Sequence, residues 1–317
     1  MSEPVKVSII IAAYEAGDYI HNAIASCLAQ TEASFEVMVV DDASATSLEG
    51  AVQAAAGGDK RVKFVRLAKN SGPSGARNRG LDEARGDYVV ILDADDTMRP
   101  DRLEMLLEIA VRQEADIVVD NMLANRIGDA ASSAERAFLT PSAIRDDMQI
   151  DLKVYADPNS NQRFGQPLGY LKPLIRRSCL EAAKLRYDPS LTNSEDYYLV
   201  AELLARGAKM ILTPYVGYVY TIQAGSISHR LSPAQAAAIY QAEEGFQKRH
   251  SSQYSGDLKK AARRRLKHIR RDFEFETLIA DLRGKSALKF VQHFFQYLPN
   301  TPAHIGKFAA IAFRRLA

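Results

Sequence analysis

Tryptophan is absent from the 317 residues, and cysteine nearly so: Cys27 and Cys179 stand far apart, in unlike surroundings. Two such thiols exclude a disulfide framework and offer no metal-ligand spacing, which points to a reducing compartment. Charge of one sign is missing too. A net charge of +2 gives no global affinity for polyanions. No apolar run reaches the roughly 18 residues that a bilayer span needs. The chain runs straight from its N-terminus into a strand-like segment, without an apolar h-region or a small-residue cleavage site, so no secretory signal is read there. These absences set the expectation of a cytoplasmic protein, peripheral at the inner membrane only if a surface element takes it there. Gly-x-Gly-x-x-Gly and the P-loop pattern are missing as well, which weakens nicotinamide-cofactor and P-loop readings.

What is present suits a soluble globular chain. Hydrophobic residues make up 47% and charged residues 25%, and the length allows a full α/β core with a smaller appendage. The central stretch is Asp87 to Asp96. Tyr88 to Leu92 has the length and β-branched content of a buried strand, and it stops at Asp93, Asp95 and Asp96. Pro100-Asp101 then opens a helix expected to turn Leu103, Leu106, Leu107, Ala110 and Val111 to one face. Upstream, Val5 to Ala12 reads as a strand followed by Ala13-Tyr14, with Asp18 as the cap of a helix carrying Ile20, Ile24, Cys27 and Leu28. Phe35 to Val40 is a second strand, ending in Asp41-Asp42, and Val62 to Leu67 a third. A loop, Asn70 to Gly75, leads to a helix over Ala76 to Ala84. Arg77 and Arg79 stand at its expected start, either to meet phosphate beside free N–H groups or as a solvated face. Asp116 to Asp120 is a further strand. Strands alternating with helical patterns predict an α/β fold with a mostly parallel sheet flanked by helices.

Ligands of such sheets sit outside the carboxyl ends of the strands. Ala13-Tyr14, Asp41-Asp42 and the Asp93–Asp96 acids therefore converge on one crevice. An acid there can accept from a base N–H or a ribose hydroxyl, and clustered carboxylates suit a hard cation. The plainer alternative is an acidic turn that solvates a strand end. Residues 132–169 are polar and weakly patterned, with Asn159, Asn161, Gln162 and Arg163 in a loop-rich region. Leu171 to Arg177 is β-like, and Asn193 or Ser194 caps a helix from Glu195 with Leu199, Val200, Leu203 and Leu204 inward. The helix dipole favours acids in its first turn by ~0.3–1 kcal/mol, which by itself accounts for Glu195 and Asp196. Near the C-terminus, Leu258, Ala261, Ala262, Leu266, Ile269 and Phe273 form a stripe among Lys259, Lys260, Arg263, Arg264, Lys267, Arg270 and Arg271. Phe290, Val291, Phe294, Phe295, Tyr297 and Leu298 follow, then Phe308, Ile311 and Phe313. This basic amphipathic region reads as a membrane-surface element, a nucleic-acid patch, or a helical cap with a solvated face.

The segments VSIIIAAYEAGDYI, FEVMVVDDAS, NSGPSGARNRGLDEARGDYVVILDADD and RPDRL, followed by GYLKPLIRRS and NSEDYYL, resemble a family-2 glycosyltransferase of the A-type fold. The resemblance runs from Val5 to Ser228 and is strongest toward enzymes that build bacterial exopolysaccharides such as succinoglycan. It implies a nucleotide-sugar-binding half over 1–120, an acceptor-binding half over 121–230 and a basic helical extension over 231–317. It implies transfer of a single hexose, glucose, from a UDP-sugar to a hydroxyl of a lipid-linked glycan acceptor. Residue by residue, Ala13 and Tyr14 would border the uracil and Asp42 would accept from its N3–H, with Asp41 close by. Arg77 would hold the donor, Asp93 would face the ribose, and Lys172 would reach the diphosphate. Asp95 would bind Mn²⁺ or Mg²⁺, whose charge stabilises the departing UDP. Asp196 would be the general base of a one-step inversion. Two features depart from the family pattern. Thr221 and Gln223 stand where many relatives carry arginine and histidine, with His229 just beyond, and the Gln-x-x-Arg-Trp of processive relatives is absent. Two other readings compete. A nucleotidyltransferase would show a Gly-rich basic loop where Ala12-Ala13-Tyr14-Glu15 stands. A catalytically inactive sugar-nucleotide or nucleic-acid binding module would not need Asp95 and Asp196, so nucleic acid is not the expected partner.

Overall fold

The computed structural model describes residues 5–126, 136–222, 231–284 and 286–297. Gln223, His229, Leu298, Phe308, Ile311 and Phe313 lie outside them. The chain falls into two compact units, one from Met1–Tyr155 and Asn159–Ser226, the other from Ala156–Pro158 and Ile227–Ala317.

In the first unit β1 (Val7–Ala13) is apolar on both faces because sheet neighbours and helices cover it, and α1 (Ile20–Leu28) buries Ile20, Ala23, Ile24 and Cys27. β2 (Phe35–Asp41), α2 (Glu49–Ala56) and β3 (Val62–Arg66) repeat the unit outward. α3 (Gly72–Glu83) returns the chain to β4 (Tyr88–Ile91), followed by β5 (Thr97–Met98), α4 (Arg102–Arg112) and β6 (Ile117–Arg126). Short pieces come next: β7 (Arg136–Ala137), β8 (Met148–Ile150), α5 (Leu152–Ala156) and α6 (Ser160–Phe164). β9 (Leu174–Arg176), α7 (Arg177–Ala182), α8 (Glu195–Ala205) and β10 (Met210–Ile222) complete it.

The sheet runs β3-β2-β1-β4-β9-β6-β10-β5, with β7 on β6 and β8 on β10. β3, β2, β1 and β4 are mutually parallel, and β6 is parallel to β10. β9 lies antiparallel between β4 and β6. An antiparallel strand needs no crossover helix, so a short loop-borne segment can fill the middle of the sheet. The strand order reverses at β1, and Ala13 pairs with Asp41 in register, so the carboxyl ends of β1, β2 and β4 border one switch-point crevice. Close approach fixes α3 and β4 on this frame. A methyl at Gly80 would lie 2.4 Å from Ile10 Cγ2, and one at Gly86 would lie 2.5 Å from the Ser8 nitrogen.

Local expectations change in four places. α3 begins at Gly72 with Pro73 in its first turn, because proline lacks only an N–H that no helix start uses. Arg77 therefore lies beyond the first turn, not at the helix start. α1 is preceded by Tyr19 with no side-chain cap; the Ala16 carbonyl accepts the Tyr19 and Ile20 N–H groups instead of Asp18 doing so. Val111 is 71% exposed, and Ile109 takes the buried position. Ser194 stands before α8 with φ 66°, but its hydroxyl donates to Asn193 and caps nothing.

The second unit is helical. α9 (Pro233–His250) starts with a capping box of Ser232 and Gln235. α10 (Gly256–Arg283) packs on it through stacked Tyr240 and Phe273 rings 5.5 Å apart and a Gln247 bond to the Ala262 carbonyl. Ala261, Ala262 and Ile269 are buried, while Lys259, Lys260, Arg263, Lys267 and Arg270 face solvent. α11 (Ala287–Gln296) is tied back by His293 Nδ1, 2.6 Å from Asp281. Its opposite face shows Leu288, Val291 and Phe295, exposed by 82%, 48% and 62%.

Candidate active site

Two loops leave the ends of β1 and β2 and brace each other. The Glu15 N–H donates to Ser44 Oγ, and the Ala45 N–H donates to Glu15. Both Glu15 and Ala43 adopt positive φ, a cost non-glycine residues bear at sites fixed by their surroundings. Ala13 is buried and Tyr14 is 53% exposed at this edge. The adjacent acids differ. Asp41 is fully buried and saturated: it accepts from the Ser44 and Leu48 N–H groups and pairs with Arg66 at 3.4 Å. Asp42 instead holds the start of α3, accepting from the Ser71 N–H at 2.7 Å. Burial raises its pKa above the ordinary carboxylate range, against the Ser71 and Gly72 N–H groups.

The centre is a largely buried set of three acids and two bases, with Asp93 and Asp196 partly open to solvent. Arg77, carried by α3, reaches Glu195 at 2.5 Å, Asp93 at 2.9 Å and Asp196 at 3.3 Å. Lys172, just before β9, reaches Asp196 at 2.7 Å and Asp93 at 2.9 Å. α3 also sets the segment leading to α8. Asn78 brackets the Tyr187 backbone with two 2.8 Å bonds, and the Ser74 hydroxyl donates to the Leu191 carbonyl. The Tyr187 ring lies 5.4 Å from the Arg77 guanidinium. Arg77 Nε is buried without a hydrogen-bond partner among the described residues.

Electrostatics separates the acids. Burial alone would raise Asp196, but Arg77 and Lys172 outweigh it and hold the carboxyl below its ordinary range. Asp93 is treated the same way: burial is overcome by Lys172 and Arg77, and the group is held well down. Burial and the Asp196 charge push Glu195 up. Neighbouring carboxyls driven apart in this way take different protonation roles. Asp95 makes no ion pair among the described residues; burial, then the Asp93 charge, raises its pKa. Asp96 is fully buried and tied to Tyr218 and the Thr221 N–H.

No trio of His, Cys, Asp or Glu able to cage a metal occurs among the described residues. A magnesium-like ion that shares diphosphate oxygens needs only one or two carboxylates. Asp95 fits that need: Asp93 is already neutralised by two cations and both oxygens of Asp96 are engaged by Tyr218 and the Thr221 N–H, which leaves Asp95 as the acid of the turn with no ion pair or side-chain tie among the described residues.

Sequence reading named Asp93, Asp95, Asp196, Arg77 and Lys172 from the resemblance, and the fold brings four of them into direct contact. Arg77 and Lys172 turn to the acids and not to an open anion pocket. The Arg102–Asp120 pair and Tyr218 were missed. An arginine interrupting the apolar face of α4, and an aspartate inside the Val118–Met122 strand run, were the available signals.

The chain is similar in sequence and in fold to known proteins. The profile of Glycosyl transferase family 2 matches residues 8–160. Succinoglycan biosynthesis protein ExoO of Rhizobium meliloti (strain 1021) is 38% identical over 284 residues, covering 88% of this chain and 78% of that protein. Succinoglycan biosynthesis protein ExoU of the same strain is 33% identical over 287 residues, covering 89% and 80%. The crystal structure of S. aureus TarS 1–349 in complex with UDP-GlcNAc superposes with a TM-score of 0.61 at 16% identity, covering 93% of this chain and 92% of that one. This last likeness shows a shared fold.

Proposed function

The chain belongs to glycosyl transferase family 2, and on that premise we propose that it moves a single hexose, glucose, from a UDP-sugar to a hydroxyl of a lipid-linked glycan, with inversion, in exopolysaccharide biosynthesis. That both Rhizobium relatives are succinoglycan biosynthesis proteins supports the exopolysaccharide, and the nucleotide sugar bound by TarS supports the donor class. One observation carries the reading: Lys172 touches both Asp196 and Asp93 of the acidic turn. The base of an acceptor hydroxyl and the acid of a donor site are thus one side chain apart.

In this mechanism Asp196, held ionised, takes the proton of the acceptor hydroxyl as its oxygen attacks the anomeric carbon. The bond to the UDP oxygen breaks on the opposite side, and one base suffices for the single displacement. Asp42 and the Ala13-Tyr14 edge bind the uracil, and Asp93 lies toward the ribose. Lys172 and Arg77 supply positive charge beside the diphosphate. A divalent ion on Asp95, when bound, would neutralise charge on the leaving group. The exposed stripe of α11 and the basic face of α10 support contact with the cytoplasmic membrane face, where a lipid-linked acceptor resides.

The deciding experiment pairs turnover with calorimetric UDP titration. Asp196→Asn is expected to lower turnover at least ~10²-fold, the scale of a lost general base, with UDP affinity kept within about twofold. An unchanged rate removes Asp196 from the base role, and lost UDP binding moves it to the donor site.

A further inference from the structure

We propose that Tyr218 is the positioning residue of the acidic turn, and that Asp96 is the tie through which it acts and no ligand of the cation. This rests on the reading of Asp95 as the metal carboxylate. β5 follows the turn directly and pairs antiparallel with β10, Met98 against Tyr218. That register delivers the Tyr218 hydroxyl to both ends of the turn. It donates to Asp96 Oδ2 at 2.6 Å and accepts the Asp93 N–H at 3.2 Å. The other Asp96 oxygen accepts the Thr221 N–H at 2.7 Å, and the Asp96 N–H closes the turn on the Asp93 carbonyl at 3.0 Å. Both oxygens of Asp96 are thus engaged by β10, and the residue has no exposed surface.

A second layer fixes the tyrosine. The Arg102 guanidinium lies 5.2 Å from the Tyr218 ring and grips Asp120 with two bonds of 2.9 and 2.8 Å. Asp120 accepts the N–H of Gly217, next to Tyr218, at 3.0 Å. Arg102 also donates to the Lys172 carbonyl at 2.5 Å. A methyl on Gly217 would lie 2.7 Å from Arg102 Cγ and 2.9 Å from Asp120, so the strand passes these two with no room to spare. Tyr218, Arg102 and Asp120 are at most 1% exposed. Being buried, they would act on the site through the Asp93–Asp96 turn and Lys172, to which they are tied. Outer-shell partners of metal ligands typically cost 10–100-fold in metal affinity when removed.

The test is calorimetric titration of MnCl₂ into the full chain at saturating UDP, with UDP titrated alone as reference. Tyr218→Phe, which deletes one oxygen, is expected to weaken Mn²⁺ about tenfold or more while metal-free UDP affinity stays within about twofold. Asp96→Asn keeps an acceptor for the Thr221 N–H and an amide that can donate to the Tyr218 oxygen, so its loss should stay below about threefold. Asp96→Ala should match Tyr218→Phe, and it carries the test if the phenylalanine variant does not fold. Asp96→Asn as damaging as Asp95→Asn would overturn the proposal, because Asp96 would then be a ligand. So would Mn²⁺ binding untouched by Tyr218→Phe while Asp95→Asn abolishes it. Mn²⁺ binding indifferent to Asp95→Asn overturns the metal reading of Asp95 itself, and the tie with it.

Discussion

Lys172 and Arg77 divide three carboxylates between them, and the division decides which acid can work as a base. Asp196 has its pKa pushed up by burial and pulled further down by Arg77 and Lys172. Its folded value therefore lies below the unfolded one, near 3.9. The stabilisation this brings is present above that unfolded value and is lost as pH falls through the folded one. Ionised Asp196 persists through the neutral range. Lys172→Met removes one of the two opposing cations, so burial and the Asp93 charge raise Asp196. The acid limb of kcat/KM is then expected to move to higher pH, and a pH–rate profile from about pH 4 to 8 checks it; a stationary limb would mean Arg77 alone sets the value. Such roles were only partly legible beforehand. The residue types at the strand ends told that acids gather there, but Asp41 and Asp42 differ only by the direction of one turn. Asp93, Asp95 and Asp96 likewise separate by partners from elements far along the chain. Arg77 meets Glu195 across 118 positions, and no local pattern announces that.

Among the elements, the parallel strands were readable because burial on both faces demands unbroken apolar runs, as in Val37 to Val40 and Tyr88 to Ile91. β9 was visible only as a short β-like piece, since nothing in Leu174 to Arg176 states that it runs antiparallel. The start of α3 was misplaced because Gly72-Pro73 signals a turn as strongly as a first helical turn. Gly86 shows why a glycine precedes β4. The nearest atoms to an added methyl are the Ser8 nitrogen at 2.5 Å and the Val7 carbonyl carbon at 2.7 Å, and backbone cannot rotate away as a side chain can. Gly86→Ala is expected to destabilise the first unit by about 1–3 kcal/mol, read as a lower midpoint in urea melts. Unchanged stability would show that the β1–β4 pair can spread.

At the scale of the molecule, the second unit carries the features on which the proposed membrane contact rests. Three neighbouring apolar side chains on α11 make a weak anchor by themselves, and stable attachment takes two signals. On the proposed membrane contact, the basic face of α10 would supply the second, worth about 1 kcal/mol per cation near an anionic surface. Replacing Leu288, Val291 and Phe295 by glutamine together should lower co-sedimentation with phosphatidylglycerol vesicles several-fold and leave neutral phosphatidylcholine binding weak throughout. Equal recovery of both proteins with anionic vesicles would assign the stripe elsewhere. Arg77 and Lys172 each engage an oxygen of Asp196, so on the proposed chemistry the cations that hold the base ionised also compete with an acceptor hydroxyl for its lone pairs. A diphosphate competing for those same cations would release it. A donor that binds before the acceptor is therefore the expected order of arrival, with water, the commonest hydroxyl of all, a poorer competitor for the base until the diphosphate is in place.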